Sequence, residues 1–212
     1  MAVTLALSAL LFSSFFLYNT ILFSGTQNLL SDKLFPESLS AWSNNEVVIL
    51  IRHTERCDRS NNTCLDGEDG ITVKGKQFAQ DIGSNLSRIS KPQEITRYNS
   101  PAKRAHQTAN FIFNGYTNDQ IWLRKGCAKS LYKNILSHKQ ISKNLILVTH
   151  STCIKELSDI KGKRMLNINF ENPNTYGIAV FLKTDSKSED IQVLGVLFVE
   201  QWPELIKRLA RQ

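Results

Sequence analysis

The sequence predicts a three-layer α/β fold, with a mostly parallel sheet flanked by helices. Three observations carry that expectation. Short apolar runs alternate along the chain with longer segments whose apolar residues fall at helical spacing. Two of these runs, Val47-Val48-Ile49-Leu50-Ile51 and Leu145-Ile146-Leu147-Val148, read as buried strands. Each is followed by polar chemistry, Arg52-His53 after the first and Thr149-His150 after the second. Open α/β sheets place their ligands at that carboxyl edge, so two strands that each deliver a histidine there suggest a site rather than packing.

The elements follow in order. No residue before Asp32 carries a charged side chain, and residues 2–23 are mostly apolar. Such a run spans a bilayer, which takes roughly 20 residues. It reads as an uncleaved membrane anchor or as a signal peptide, although a basic leading region and an Ala-x-Ala cleavage site are both missing. Residues 24–45 are rich in Ser, Asn and Gln and read as a linker that lifts the domain off the membrane. The domain is expected over 46–212, about 170 residues, enough for one α/β core. After the first strand, Thr72 caps a helix to about residue 90, with Phe78, Ala79, Ile82, Leu86 and Ile89 on one face. A short strand covers 95–98. Ser100 and Pro101 then read as the cap and first position of a helix reaching residue 113. Residues 121–123 read as a strand, and Leu131, Ile135 and Leu136 mark the next helix. A helix is expected from about 152 to 160, and two final strands, 176–182 and 191–199, form an antiparallel pair. A basic amphipathic helix, 203–211, packs on the domain or touches anionic lipid. There are no internal repeats.

The chain carries a net charge of +7, which favours anionic partners or simply a solvated basic surface. It has no Lys/Arg block, no zinc-finger spacing and no aromatic RNA-binding motif, so nucleic acid is not an expected partner.

Between the two histidines lies Ser100-Pro101-Ala102-Lys103-Arg104-Ala105-His106-Gln107-Thr108-Ala109. The order of strand with Arg-His, then this segment, then strand with Thr-His resembles the histidine phosphatase superfamily, phosphoglycerate mutases included, over roughly residues 46–200. Arg52-His53-Thr54-Glu55-Arg56-Cys57-Asp58-Arg59-Ser60, with Gly70-Ile71-Thr72-Val73-Lys74-Gly75 after it, is similar to the lipopolysaccharide core heptose(II)-phosphate phosphatases of Gram-negative bacteria. That resemblance implies a sheet flanked by helices and a nucleophilic His53, whose other ring nitrogen donates to a backbone carbonyl. Arg52 and Arg104 would clamp the phosphoryl oxygens with planar, permanently charged forks. His150 would donate to the same oxygens. Arg56 and Arg59 read either as substrate ligands for a second phosphate or carboxylate, or as loop residues with Asp58 as ion-pair partner. His106 points away from Arg104 on its helix and reads as structural; His138, beside Lys139, reads as exposed.

The chain departs from the family in two ways. Thr54 stands where Arg-His-Gly is usual. No carboxylate appears in 123–132 or directly after His150, where family branches carry the general acid. Glu55 is the candidate acid, with Glu68, Asp69 or a water as alternatives; losing a general acid costs roughly 10²–10⁴ in rate.

Four cysteines allow three pairings. The resemblance favours Cys57–Cys64 and Cys127–Cys153, in keeping with export to an oxidising compartment; free buried thiols would fit a cytosolic chain. Arg and His alone meet the phosphoryl charge, so no metal or other cofactor is expected, and there is no Gly-rich phosphate loop. The resulting expectation is a periplasmic phosphomonoesterase, anchored or processed at residues 2–23, acting on a phosphorylated sugar or the lipopolysaccharide core. Two alternatives stand beside it: a membrane-tethered phosphosugar-binding or regulatory module, and a cytosolic protein-phosphohistidine phosphatase.

Overall fold

The computed structural model describes residues 27–90, 94–157, 162–185 and 189–211. The expected anchor or signal, 1–23, lies outside the described residues. The strands are β1 (Val47–Arg52), β2 (Ile95–Asn99), β3 (Asn144–Thr149), β4 (Ala179–Asp185) and β5 (Asp190–Leu197). They form one sheet in the order β2-β3-β1-β4-β5. β1 and β2 each run parallel to β3, while β4 runs antiparallel to both β1 and β5. Only β4 is reversed, so the sheet is mixed but mostly parallel.

The helices are α1 (Leu34–Ser43), α2 (Val73–Leu86), α3 (Lys103–Ile112), α4 (Cys127–His138), α5 (Ser151–Lys155) and α6 (Trp202–Leu209). Alternate residues of β1 feed two cores, as the two-residue strand period requires. Val47, Ile49 and Ile51 pack with Ala79 and Ile82 of α2, Ala105 and Ala109 of α3, and Trp202 of α6. Val48 and Leu50 face Leu131 and Ile135 of α4, Ile154 of α5, and Leu166 and Ile168. The result is three layers. Asn144 fixes the base of the sheet: its Oδ1 accepts from the Val47 amide at 2.9 Å, and its Nδ2 donates to the Trp42 carbonyl at 2.9 Å.

Several expectations need correction. Residues 27–45 do not form a linker. Asn28 bridges Val196 of β5, with the Leu29 amide donating to the Val196 carbonyl at 3.0 Å. α1 then buries Leu34, Phe35 and Ala41. The close approach runs over Gly195, where a Cβ would stand 2.9 Å from the Gln27 carbonyl oxygen and the Leu29 backbone. Residues 121–123 form a single 3-10 turn rather than a strand. The helix after Ser100 begins at Lys103, with Ala102 as its N-cap, so Arg104 sits in its first turn. His138 is half-buried, stacked on Trp122 with ring centroids 4.6 Å apart. The last helix packs on the domain through buried Trp202, Leu205 and Ile206. No helix among the described residues is long and apolar enough to cross a membrane.

Candidate active site

Three parallel strands converge at one edge. The His53 amide donates to the Thr149 carbonyl at 2.9 Å, and the Ser100 amide donates to the Val148 carbonyl at 2.9 Å. These ladder bonds place Arg52-His53, Ser100 and His150 side by side just past the sheet. The His53 and His150 rings meet edge to face with centroids 5.4 Å apart.

His53 is buried. Its Nδ1 lies 2.9 Å from the Thr54 carbonyl oxygen, which accepts only, so Nδ1 is the protonated nitrogen. That leaves Nε2 with a lone pair, and the Arg104 Nε donates to it at 3.2 Å. Burial, followed by the charges around His150, Arg52 and Arg104, pushes the His53 imidazole well below the usual histidine range, although the Thr54 bond opposes the shift. The imidazole is therefore neutral, with its nucleophilic nitrogen aimed at a cation.

Thr54, in place of the usual glycine, has a structural role. Its amide donates to Thr108 Oγ1 at 3.1 Å, and the two hydroxyls are 3.1 Å apart. Thr108 in turn donates to the Arg104 carbonyl at 2.7 Å. The segment after the nucleophile is thus tied to the helix that carries Arg104.

Arg52 is buried, and its Nη1 donates to the Phe170 carbonyl at 3.0 Å and to Thr175 Oγ1. Its guanidinium lies 4.0 Å from the Tyr176 ring centroid. Burial lowers its pKa to about 10, which leaves it charged at neutral pH. His150 Nε2 lies 2.8 Å from Ser100 Oγ. Burial, then the charges of Arg104, Arg124 and Arg56, lowers the His150 pKa to about 4. Arg52 Nε and His150 Nδ1 are both buried without a hydrogen-bond partner. Leaving buried polar atoms unpaired is costly, and an oxyanion ligand would satisfy such groups.

The remaining candidates are distributed as follows. Glu55 Oε2 accepts from Thr72 Oγ1 at 2.7 Å and from Asn62 Nδ2 at 2.9 Å. The carboxylate thereby ties the loop to the start of α2, where Thr72 also caps the helix by accepting from the Gly75 amide at 2.9 Å. Arg56 pairs with Asp58 through both carboxylate oxygens, and that pairing holds the Asp58 carboxyl below its usual range. Arg59 is exposed at the end of the 3-10 turn Cys57–Arg59. Glu68 is exposed, and Asp69 pairs with Lys103 at 3.2 Å. His106 Nδ1 lies 2.9 Å from Asp119 Oδ1. Disulfides join Cys57 to Cys64 and Cys127 to Cys153, each with a Cα–Cα distance of 5.2 Å. The first closes the loop that carries Arg59 and follows Arg56; the second ties the N-terminus of α4 to α5, directly after His150.

Sequence reasoning missed three residues at this site: Ser100 as the partner of His150, Tyr176 beneath Arg52, and Arg124. The sequence reads the Ser100 hydroxyl as a helix cap, although the run Ser-Pro after a strand end is the available signal. Nothing in the local pattern marks Tyr176 or Arg124.

No family model matches the chain. Its sequence is similar to curated proteins named lipopolysaccharide core heptose(II)-phosphate phosphatase. The protein of that name from Salmonella typhimurium strain LT2 is 38% identical over 120 residues, 56% of this chain and 58% of that protein. The one from Escherichia coli O6:K15:H31 is 37% identical over 119 residues, 54% of this chain and 58% of that protein. The matched region thus spans well under two thirds of these relatives' length. Among solved structures, the protein histidine phosphatase SixA complexed with tungstate has a TM-score of 0.53 at 10% identity, covering 73% of this chain and 98% of that one. A phosphoserine phosphatase from Entamoeba histolytica in complex with 3-phosphoglyceric acid has a TM-score of 0.50 at 14% identity, covering 71% and 95%. The chain therefore has the histidine phosphatase fold.

Proposed function

We propose that this chain is a phosphomonoesterase that works through a phosphohistidine on His53 Nε2 and removes phosphate from heptose of the lipopolysaccharide core. One observation carries the chemistry: a neutral, buried imidazole has one nitrogen tied to a backbone carbonyl and the other facing Arg104. In this reading Nε2 attacks phosphorus, the P–O bond to the sugar breaks and the sugar oxygen takes a proton from water. Water then attacks phosphorus, the P–N bond breaks, and inorganic phosphate and free His53 are returned. Arg52, Arg104 and His150 hold the equatorial oxygens, where charge is spread in the transition state. The choice of heptose rests on the names of the curated relatives. The periplasm, with residues 2–23 as anchor or signal, is part of the same proposal and is supported by the two disulfides.

The test is phosphate release from purified lipopolysaccharide core by the full chain and by its His53→Ala variant. Release by the parent alone is expected; release by both contradicts the mechanism. One observation favours a second reading. Glu55 is engaged with Thr72 and Asn62, so a phosphosugar-binding module without turnover is the alternative. That module would bind phosphosugar and release no phosphate.

A further inference from the structure

We propose that the apolar groove between α1 and α6 is a membrane-docking site that takes up an acyl chain of an anionic phospholipid, with Arg88 at its rim meeting the headgroup. This rests on the reading of residues 2–23 as an anchor, and adds where the folded domain meets the bilayer.

The groove has a volume of about 290 Å³. Phe35, Leu39 and Trp42 line it from α1, Leu205 and Leu209 from α6, and Phe181 from β4. The polar groups in the lining are mostly committed inside the protein. Ser38 Oγ donates to the Leu34 carbonyl at 2.8 Å, and Trp42 Nε1 donates to the Ile89 carbonyl at 3.3 Å. That leaves the exposed Ser43 and Arg88. Arg88, just past the end of α2, is the one charged group in the lining and makes no ion pair among the described residues. A sugar would find few partners here. A hydrocarbon chain with an anion at one end matches both the apolar lining and the single cation.

The charges around the groove point the same way. Lys33 before α1, Lys207 in the last turn of α6 and Arg211 after it are all exposed. Arg208 lies 5.7 Å from the Phe35 ring centroid and pairs with Asp32 and Glu204. Glu37 faces Lys183 instead. Cations therefore outnumber carboxylates beside the groove, which suits an anionic lipid surface. The half-buried Trp42 has the apolar body and polar tip that favour a membrane interface.

The chain itself limits where this face can stand. Leu29 also lines the groove, six residues after residue 23. Extended chain covers at most about 20 Å over that separation, so residues 2–23 in a bilayer keep the groove near its surface. Trp42 and Ile89 precede the starts of β1 and β2, whereas His53 follows the end of β1. Docking through the groove thus turns the His53 edge away from the bilayer.

Photolabelling tests this. The full chain is mixed with vesicles of phosphatidylglycerol or of phosphatidylcholine, each containing the same lipid with a diazirine in its acyl chain. After irradiation, labelled peptides are mapped by mass spectrometry. Label is expected on residues 35–43 and 205–209 as well as on 2–23, and more of it in the groove from phosphatidylglycerol. Arg88→Glu should lower groove labelling from phosphatidylglycerol about fivefold and leave labelling of 2–23 unchanged. Lys125→Glu, reversing an exposed cation outside the groove, should behave as the parent. Label confined to 2–23 would overturn the docking site and retain the anchor. Groove label without label on 2–23 would retain the site and reject the anchor. Equal groove labelling from the two lipids, or an equal loss in Lys125→Glu, would overturn the proposal.

Discussion

At the scale of single residues, the site depends on keeping two imidazoles neutral inside a ring of guanidinium groups. Burial does most of this, and the neighbouring arginines add to it. The consequence for stability has a definite sign. Both histidines have folded pKa values below the ordinary 6.5, so the unfolded chain binds more protons as the pH drops below that value. Their contribution is fully present above about pH 6.5 and is lost as the pH falls, for His150 down to its folded value of about 4. The slope is on the order of 1.4 kcal/mol per pH unit for each histidine titrating in that window. Urea unfolding of the parent at pH 7.5 and pH 5 should show the loss, and His150→Gln should show less of it; an identical loss in both proteins would contradict the assignment. Glu55 makes a second test at this scale. Its hydrogen bonds to Thr72 and Asn62 give it a positioning role, so Glu55→Gln should lower kcat by a similar factor, under about tenfold, on p-nitrophenyl phosphate and on an alkyl phosphate. A general acid would behave differently, because its loss falls mainly on the poor leaving group, by roughly 10²–10⁴. A selective loss of that kind would make Glu55 the acid.

At the scale of elements, what could be read in advance was whatever the local pattern decides. β1 and β3 are uniformly apolar, and the Thr72 cap and the apolar face of α2 follow helical spacing. The errors occur where tertiary partners decide. Ile121-Trp122-Leu123 has strand composition, and the residues just before it bridge Asn99 of the edge strand β2, but the Leu123 carbonyl is taken by Thr149 Oγ1 and the segment closes as a turn. Residues 27–45 look like a polar linker because Ser and Asn mask the spacing of Leu29, Leu30, Leu34 and Phe35. All four are nonetheless buried, and Leu29, Leu30 and Phe35 share a core with Leu194 and Leu197 of β5 and Trp202 and Leu205 of α6. Arg208 closes the arrangement by donating to the Leu30 carbonyl at 2.8 Å. Fully burying a large apolar side chain stabilises by about 1.5–3 kcal/mol, and a whole domain is stable by about 5–15 kcal/mol. A chain trimmed to begin at residue 44 should therefore be unfolded or much less stable than one beginning at residue 27. Thermal unfolding of the two should differ by more than about 10 °C; equal midpoints would mean that α1 contributes nothing to the core.

At the scale of the whole molecule, the sheet order turns a linear sequence into a site. β1, β2 and β3 are parallel neighbours, so His53, Ser100 and His150, far apart in the chain, end at one edge. The alternation of strands and helices made that convergence legible for the two histidines. Arg124 was not legible, because its place depends on a turn held by Thr149 and on a disulfide closing 26 residues of separation. One disulfide closes the loop after His53 and the other ties α4 to the helix after His150, while the sheet beneath holds the nucleophile. The central claim is that His53 Nε2 takes the phosphoryl group. The most direct test is to incubate the protein with a ³²P-labelled phosphomonoester, quench it in alkali and look for label on the chain. The account predicts an alkali-stable, acid-labile phosphohistidine at His53 that disappears in His53→Ala. Phosphate release with no such label, or label retained in His53→Ala, would contradict it.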